Sequence, residues 1–326
     1  MRRRDFLHKD AETPLSERYM AAGAICSFST NSEQLLEAAR DTFLPVEMPP
    51  VSVDFSLRLW VDNADTARPP WPRPYVRGLG HLVFAGFDAG SSMLADLRTC
   101  RVIGRFSGAM AADATHWKRV IFPMLLSILA GSVGLVELHA SCVARDQRGL
   151  ILIGPSHSGK STLAMALIET GFRFLSDDRT FCSLRQGRLS AWGLPRPIKL
   201  RREAATWFEN FRNREPTDVQ NGERVFHCEP NQAIRKQHDP KCEPRLLVFL
   251  ERQQGSGFYM SPMRCSEVRF RIEKELLAEA PEAVRNQAET INGLLSLPCY
   301  TLQYGGRPQV IAEQLASSFL NRSECQ

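Results

Sequence analysis

The sequence predicts an α/β protein, with a phosphate-binding domain over residues 131–326 preceded by a smaller strand-rich module over residues 1–130. Three observations carry that reading. A glycine-containing loop from Gly154 to Thr162 lies between an apolar run, Leu150-Ile151-Leu152-Ile153, and a helical one, Leu163 to Ile168. A second short apolar segment, Phe172–Ser176, follows that helix and completes a strand–loop–helix–strand unit. Upstream, apolar residues alternate strictly at Val51, Val53, Phe55, Leu57, Leu59 and Val61, the period-two mark of a half-buried strand.

The elements follow in order. Ser32–Leu44 reads as a helix, capped by Asn31 or Ser32 and stopped by Pro45. After the alternating strand comes a Pro-rich loop at Arg68–Pro74, then short apolar strands at His81–Phe87 and Arg101–Phe106. Trp117–Leu129 reads as an apolar helix ending in a turn with Gly131 and Gly134. Leu135–Arg145 and Gly149–Ile153 read as two strands joined by the turn Asp146-Gln147-Arg148-Gly149. Lys160–Glu169 is a helix, and Gly171 follows it as the residue that can turn left-handed and end it. Beyond, Leu246–Leu250 reads as a buried strand and Glu273–Asn292 as a helix interrupted at Pro281. Cys299–Gln303 reads as a strand and Gln309–Leu320 as a terminal helix. The polar stretch Glu209–Arg245 lacks periodicity and reads as a long functional loop or lid.

Composition bounds the class. The chain of 326 residues is 43% hydrophobic and 24% charged, ordinary for a globular protein able to bury a core. A net charge of +5, with basic residues scattered beyond Arg2-Arg3-Arg4 and no aromatic-interleaved basic stripe, argues against a nucleic-acid partner. The longest apolar stretch, Ile121–Leu135, is broken by Pro123, Ser127, Gly131 and Ser132, so no membrane span is expected. Nine widely spaced cysteines do not make a disulfide framework, and Asp5, His8, Lys9, Asp10 and Glu12 interrupt any secretory apolar region. A cytoplasmic protein is the expectation. A homo-oligomer stays open.

Gly154-Pro155-Ser156-His157-Ser158-Gly159-Lys160-Ser161 fits G-x-x-x-x-G-K-[ST] at every fixed position, and Thr162 continues it. The glycines let backbone N–H groups converge on phosphate oxygens. Lys160 supplies charge to the terminal phosphates, Ser161 offers its hydroxyl to Mg²⁺, and the following helix presents its positive end. The expected ligands are ATP and Mg²⁺. Asp177-Asp178 comes one helix and one short strand later, which in a parallel unit brings both carboxylates to the same rim as the loop. Two acids beside a triphosphate can hold the metal and accept a proton from an attacking hydroxyl. His139, on the strand before the hairpin, falls toward the nucleotide end if the two strands pair.

This combination, Leu138-His139-Ala140-Ser141, a hairpin, the loop, then Phe174-Leu175-Ser176-Asp177-Asp178, resembles the catalytic domain of HPr kinase/phosphorylase and its HPr-kinase-like relatives. The resemblance covers His139 to Asp178 closely and the rest to the C-terminus only in the order of elements. It implies a phosphoenolpyruvate-carboxykinase-like P-loop fold and transfer of the γ-phosphoryl group of ATP to a serine of a protein or peptide acceptor. It also implies Lys160 and Ser161 as phosphate and metal contacts, Asp177 as catalytic base, Asp178 as metal support, and His139 near the transferred group. The family's second signature, glycine-rich with a metal-binding acid, is replaced by Trp192-Gly193-Leu194-Pro195-Arg196-Pro197-Ile198-Lys199-Leu200, which offers cations and no carboxylate. The N-terminal module does not resemble that of the sugar-regulation enzymes.

Other residues bear watching. Arg196, Lys199, Arg201 and Arg202 could clamp phosphate or an acidic substrate. Glu251, ending an apolar strand, is a candidate for the missing acid. His227, Cys228, His238 and Cys242 are zinc-binding types at a spacing that fits no tight ligand pair. The rival functions are a nucleotide-binding regulatory module without transfer activity and a plain NTPase.

Overall fold

The computed structural model describes residues 11–46, 52–62, 68–194, 197–211, 214–216, 218–220, 223–228, 240–276 and 281–323. The chain divides into two compact units, Met1–Leu135 with Leu277–Ala288, and Val136–Leu276 with Glu289–Gln326. Both mix helices with sheet, so the protein is of the α/β class with several sheets. No helix among the described residues is long and apolar enough to cross a membrane.

In the first unit, alternation builds an eight-stranded sheet: β1 (Leu15–Ala21), β2 (Ala24–Thr30), β3 (Leu44–Pro45), β4 (Phe55–Asp62), β5 (Tyr75–Leu79), β6 (Leu82–Gly86), β7 (Ser92–Asp96) and β8 (Arg101–Ser107), in the order β3-β1-β2-β4-β8-β7-β6-β5. On β2 the side chains of Ala24, Cys26, Phe28 and Thr30 are buried and those between them half-buried. Helices α1 (Glu33–Arg40), α2 (Gly108–Ala112) and α3 (Ala114–His116), a π-helical turn at Trp117–Ile121 and α4 (Phe122–Ala130) complete the chain to the unit's end. The helix expected over Ser32–Leu44 stops at Arg40, because Phe43 turns inward to stack on Phe122 at 5.1 Å and Leu44–Pro45 joins β1 as a strand. The expected strand from Val51 runs from Phe55; residues 47–51 lie outside the described residues. Trp117, fully buried, donates its indole N–H to the Met110 carbonyl at 2.8 Å, satisfying the polar end of an otherwise apolar side chain.

The second unit is organised by strands buried on both faces. Its nine-stranded sheet contains β9 (Val136–Leu138), β10 (Ala140–Arg145), β11 (Arg148–Ile153), β12 (Arg173–Ser176), β13 (Thr180–Arg185), β14 (Arg188–Trp192), and three later strands. Between them and those later strands, β15 (Ile198–Arg201), β16 (Asp218–Gln220) and β17 (Glu223–Cys228) form a separate three-stranded sheet. The later strands are β18 (Lys241–Arg252), β19 (Gly257–Pro262) and β20 (Cys299–Gly305). Helices α5 (Lys160–Glu169), α6 (Arg202–Ala205), α7 (Cys265–Glu273), α8 (Pro281–Leu295) and α9 (Pro308–Ser323) connect and follow them. Leu150 and Leu152 of β11, with Leu246, Val248 and Leu250 of β18, share a core with α5 and α9. Ile151 and Ile153, with Leu247 and Phe249, share the opposite core with Val268 and Ile272 of α7 and Ile291 and Leu294 of α8. A continuous apolar run is what a strand covered on both faces requires.

Four sequence expectations change here. The strand expected over Leu135–Arg145 is two strands: β9 pairs with β13, whereas β10 pairs with β11 and β12, and the chain changes partner at His139. The strands flanking the loop, β11 and β12, are parallel but not neighbours, since β10 runs antiparallel between them. The stretch Glu209–Arg245 is not wholly loop, because β16, β17 and the start of β18 fall within it. Pro281 begins α8 rather than interrupting a longer helix, as expected of a residue with no N–H to offer.

Gly149 of β11 is set by this packing. A Cβ there would collide with the Sγ of Cys242, which lies 3.8 Å from that of Cys142. Gly149→Ala should therefore destabilise the protein by about 1–3 kcal/mol. Adding Cys242→Ala should recover most of that loss in denaturant melts; independent, additive effects would show that the clash is not the cause.

Candidate functional site

Strand polarity gathers the site. β11, β18 and β20 are mutually parallel, and β12 runs the same way across β10, so their carboxyl ends share one rim. Where strands of an α/β sheet end is where ligand crevices form. A cavity of about 650 Å³ opens there, within the range of about 300–1,000 Å³ usual for small-molecule sites. It is lined by His139, by Ser156, His157, Gly159, Lys160, Ser161, Thr162 and Leu163 of the loop and first turn of α5, and by Asp177 and Asp178 after β12. Lys199, Arg201, Glu203, Ala204, Trp207, Val225, Arg252, Tyr304, Gly306 and Pro308 complete it.

The loop is shaped by its own backbone. Gly159 has φ +90°, and a Cβ on it would collide with the Tyr304 hydroxyl, so glycine is required twice over. Burial pushes the Tyr304 phenol up to about 12, and it donates to the Ser158 carbonyl at 2.5 Å. Lys160 Nζ donates to the carbonyls of Gly154 (2.6 Å) and Pro155 (3.2 Å). Burial lowers its pKa, opposed by the nearby carboxylates of Asp177 and Asp178. Gly154, Pro155 and Ser158 thus support the turn without lining the cavity. Arg201 reaches the imidazole Nδ1 of His157.

The two aspartates sit in contrasting surroundings. Asp177 is buried; its Oδ1 accepts from Ser141 (2.5 Å) and Ser161 (2.9 Å), and its Oδ2 from the Lys199 backbone N–H (3.3 Å). Burial raises its pKa, and those hydrogen bonds pull the other way. Asp178 has a half-exposed side chain on a left-handed backbone, φ +72°, a conformation that aspartate tolerates better than most residues. Its carboxylate and its carbonyl each lie 3.1 Å from His139 Nδ1. The hydrogen bond to Asp178 raises the His139 pKa against the effect of burial.

Hard oxygen donors suit Mg²⁺, which binds one or two protein oxygens and completes its shell with phosphate and water. Ser161 Oγ beside Asp177 Oδ1 fits that requirement. No cluster of three or more His, Cys, Asp or Glu side chains that could hold a metal by itself occurs among the described residues.

Several expected residues lie elsewhere. Glu251 is not on the cavity: Arg271 holds it at 3.3 Å and Gln303 donates to it at 3.2 Å, because its β18 side chain points away from the loop's side of the rim. Arg202 does not line the cavity, and Arg196 and His238 lie outside the described residues. Cys242 is in the core beside Cys142, and His227 pairs in register with Lys199 on the small sheet. Ser141, Tyr304, Arg252 and Trp207 were not read from the sequence as site residues. A parallel strand ending at Tyr304 would have been the clue, but only once β20 was known to neighbour β18.

No family model matches this chain, and no curated protein does. Among solved structures, the HPr(Ser) kinase/phosphatase from Coxiella burnetii is similar at 14% identity and a TM-score of 0.31, over 58% of this chain and 93% of that one. A similarity of that size decides nothing about fold or activity.

A buried carboxyl with a raised pKa costs the folded state stability as pH rises above about 4, where the unfolded aspartate gives up its proton first. Asp177→Asn can keep all three contacts with its amide turned, Oδ1 accepting from Lys199 and the NH₂ donating to the serines. The ligand-free variant should therefore melt about 2–4 °C above wild type at pH 7, with the gap closing below about pH 4. A lower melting temperature at pH 7 would show that the charge stabilises the fold.

Proposed function

We propose that this chain is an ATP- and Mg²⁺-dependent kinase of the HPr-kinase-like kind, with a phosphoenolpyruvate-carboxykinase-like P-loop fold, phosphorylating a serine hydroxyl of a protein or peptide. The observation that carries the proposal is the placement of both aspartates on the loop's rim: one is bonded to the loop's own Ser161 and the other faces the cavity beside His139. A binding module needs the first arrangement; the second adds a base where an acceptor can reach it. The serine acceptor rests on the sequence resemblance.

The aspartates divide the work in the opposite sense to the one the resemblance implies. Asp177, with three donors on its two oxygens and almost no exposure, is suited to orienting Ser161 and the water around a metal. Asp178, reachable from the cavity, is suited to accepting the proton of the attacking hydroxyl, with His139 fixing its orientation. Bound Mg²⁺ would supply charge neutralisation to the phosphates, held through Ser161 and Asp177. Lys160 and the loop N–H groups hold the triphosphate, and Lys199, Arg201 and Arg252 add positive charge along the same wall. Catalysis of this kind is positioning and electrostatics more than covalent chemistry.

Asp178→Asn should lower phosphotransfer to an acceptor peptide by about 100- to 10,000-fold while ATP affinity, measured by calorimetry, changes only a few-fold. Lys160→Ala should abolish both. Steady release of free phosphate by wild type without acceptor, unchanged in Asp178→Asn, would favour a plain NTPase. ATP binding with no transfer to any co-encoded peptide would favour a regulatory module.

A further inference from the structure

Trp207 follows α6 with 38% of its surface exposed, and among the exposed large apolar side chains of the described residues it is the one that lines the cavity. Ala204, Val225 and Pro308 stand on the same lining, giving an apolar strip to a site walled largely by charged and hydroxyl groups. Phosphate gains nothing from such a strip. A neutral aromatic ring does, since stacking on indole removes apolar surface of both partners from water.

The backbone that carries the indole is held. The Trp207 backbone N–H donates to the Ala204 carbonyl at 3.2 Å, and its own carbonyl accepts from Gln309 Nε2 of α9 at 2.8 Å. The next residue, Phe208, is buried in the core shared by α5, α9 and the sheet, anchoring the segment from its other side. A platform whose backbone is fixed in advance has only its side-chain torsions left to order when a ligand covers it. Thr162 and Leu163, just past the Lys160–Ser161 pair, face the same cavity, so strip and phosphate loop serve one ligand.

We infer that Trp207 is the stacking platform for the nucleobase, so that the site selects a nucleoside triphosphate over a bare polyphosphate. This rests on the reading of the loop as a triphosphate site. The test compares ATP with inorganic tripolyphosphate, each with Mg²⁺, titrated calorimetrically into the full chain, its Trp207→Ala variant and its Trp207→Phe variant. Trp207→Ala should weaken ATP by about 5- to 150-fold and leave the tripolyphosphate Kd within about 2-fold, with Trp207→Phe retaining most of the ATP affinity. Equal weakening of both ligands, or of neither, overturns the platform while leaving the phosphate loop standing. Failure of wild type to bind tripolyphosphate or ATP overturns the loop reading and the platform with it.

Discussion

A carboxylate taken out of water must be matched by hydrogen-bond donors, and Asp177 meets that demand with groups from three separate elements. Ser141 comes from β10, Ser161 from the first turn of α5 and the Lys199 N–H from β15. Each of those elements is therefore positioned relative to the carboxylate at the end of β12. The glycine loop, the turn at Asp178 and the cationic wall of the small sheet are tied to one buried group. A site assembled this way holds a carboxyl whose charge burial disfavours and whose hydrogen bonds favour it.

The rigidity behind that arrangement comes from apolar burial on two faces. Because β11 and β18 contribute alternate side chains to two cores, neither strand can shift by a residue without exchanging its whole buried set. Their carboxyl ends are fixed accordingly, and with them Gly154 and Arg252. The antiparallel insertion of β10 between β11 and β12 then brings its first residues, next to His139, to the rim where those two strands end. His139 reaches Asp178 because the chain changes strand partners at that residue, which frees it from both ladders.

Much of the site is local in sequence and was legible there. The loop's chemistry depends on consecutive residues, and the order strand, loop, helix, strand, aspartate pair determines which rim they share whether or not another strand intervenes. The placement of Glu251 was not legible: alternation says that a strand-end acid points to one face, not which face carries the ligand. Tyr304, Arg252 and Trp207 lie far along the chain from the loop and bear no motif. Arg252 and Tyr304 join the site through pairings of β18 with β11 and β20, and the Trp207 carbonyl is held by Gln309 of α9, none of which a local pattern specifies. The helix that ends at Arg40 fails as a local reading for a similar reason, since burial of Phe43 in an aromatic cluster outweighs the helical propensity of its neighbours.

The sequence by itself determined the α/β class, the glycine loop between strand and helix and the presence of two carboxylates within reach of it, because backbone conformation and apolar periodicity act over neighbouring residues. Only the tertiary structure decided which aspartate is buried and which is open, and that a tyrosine locks the loop. It also decided that cations, an indole and Glu203, rather than Glu251, complete the cavity. Those outcomes depend on desolvation, and burial is set by which distant strands and helices pack together.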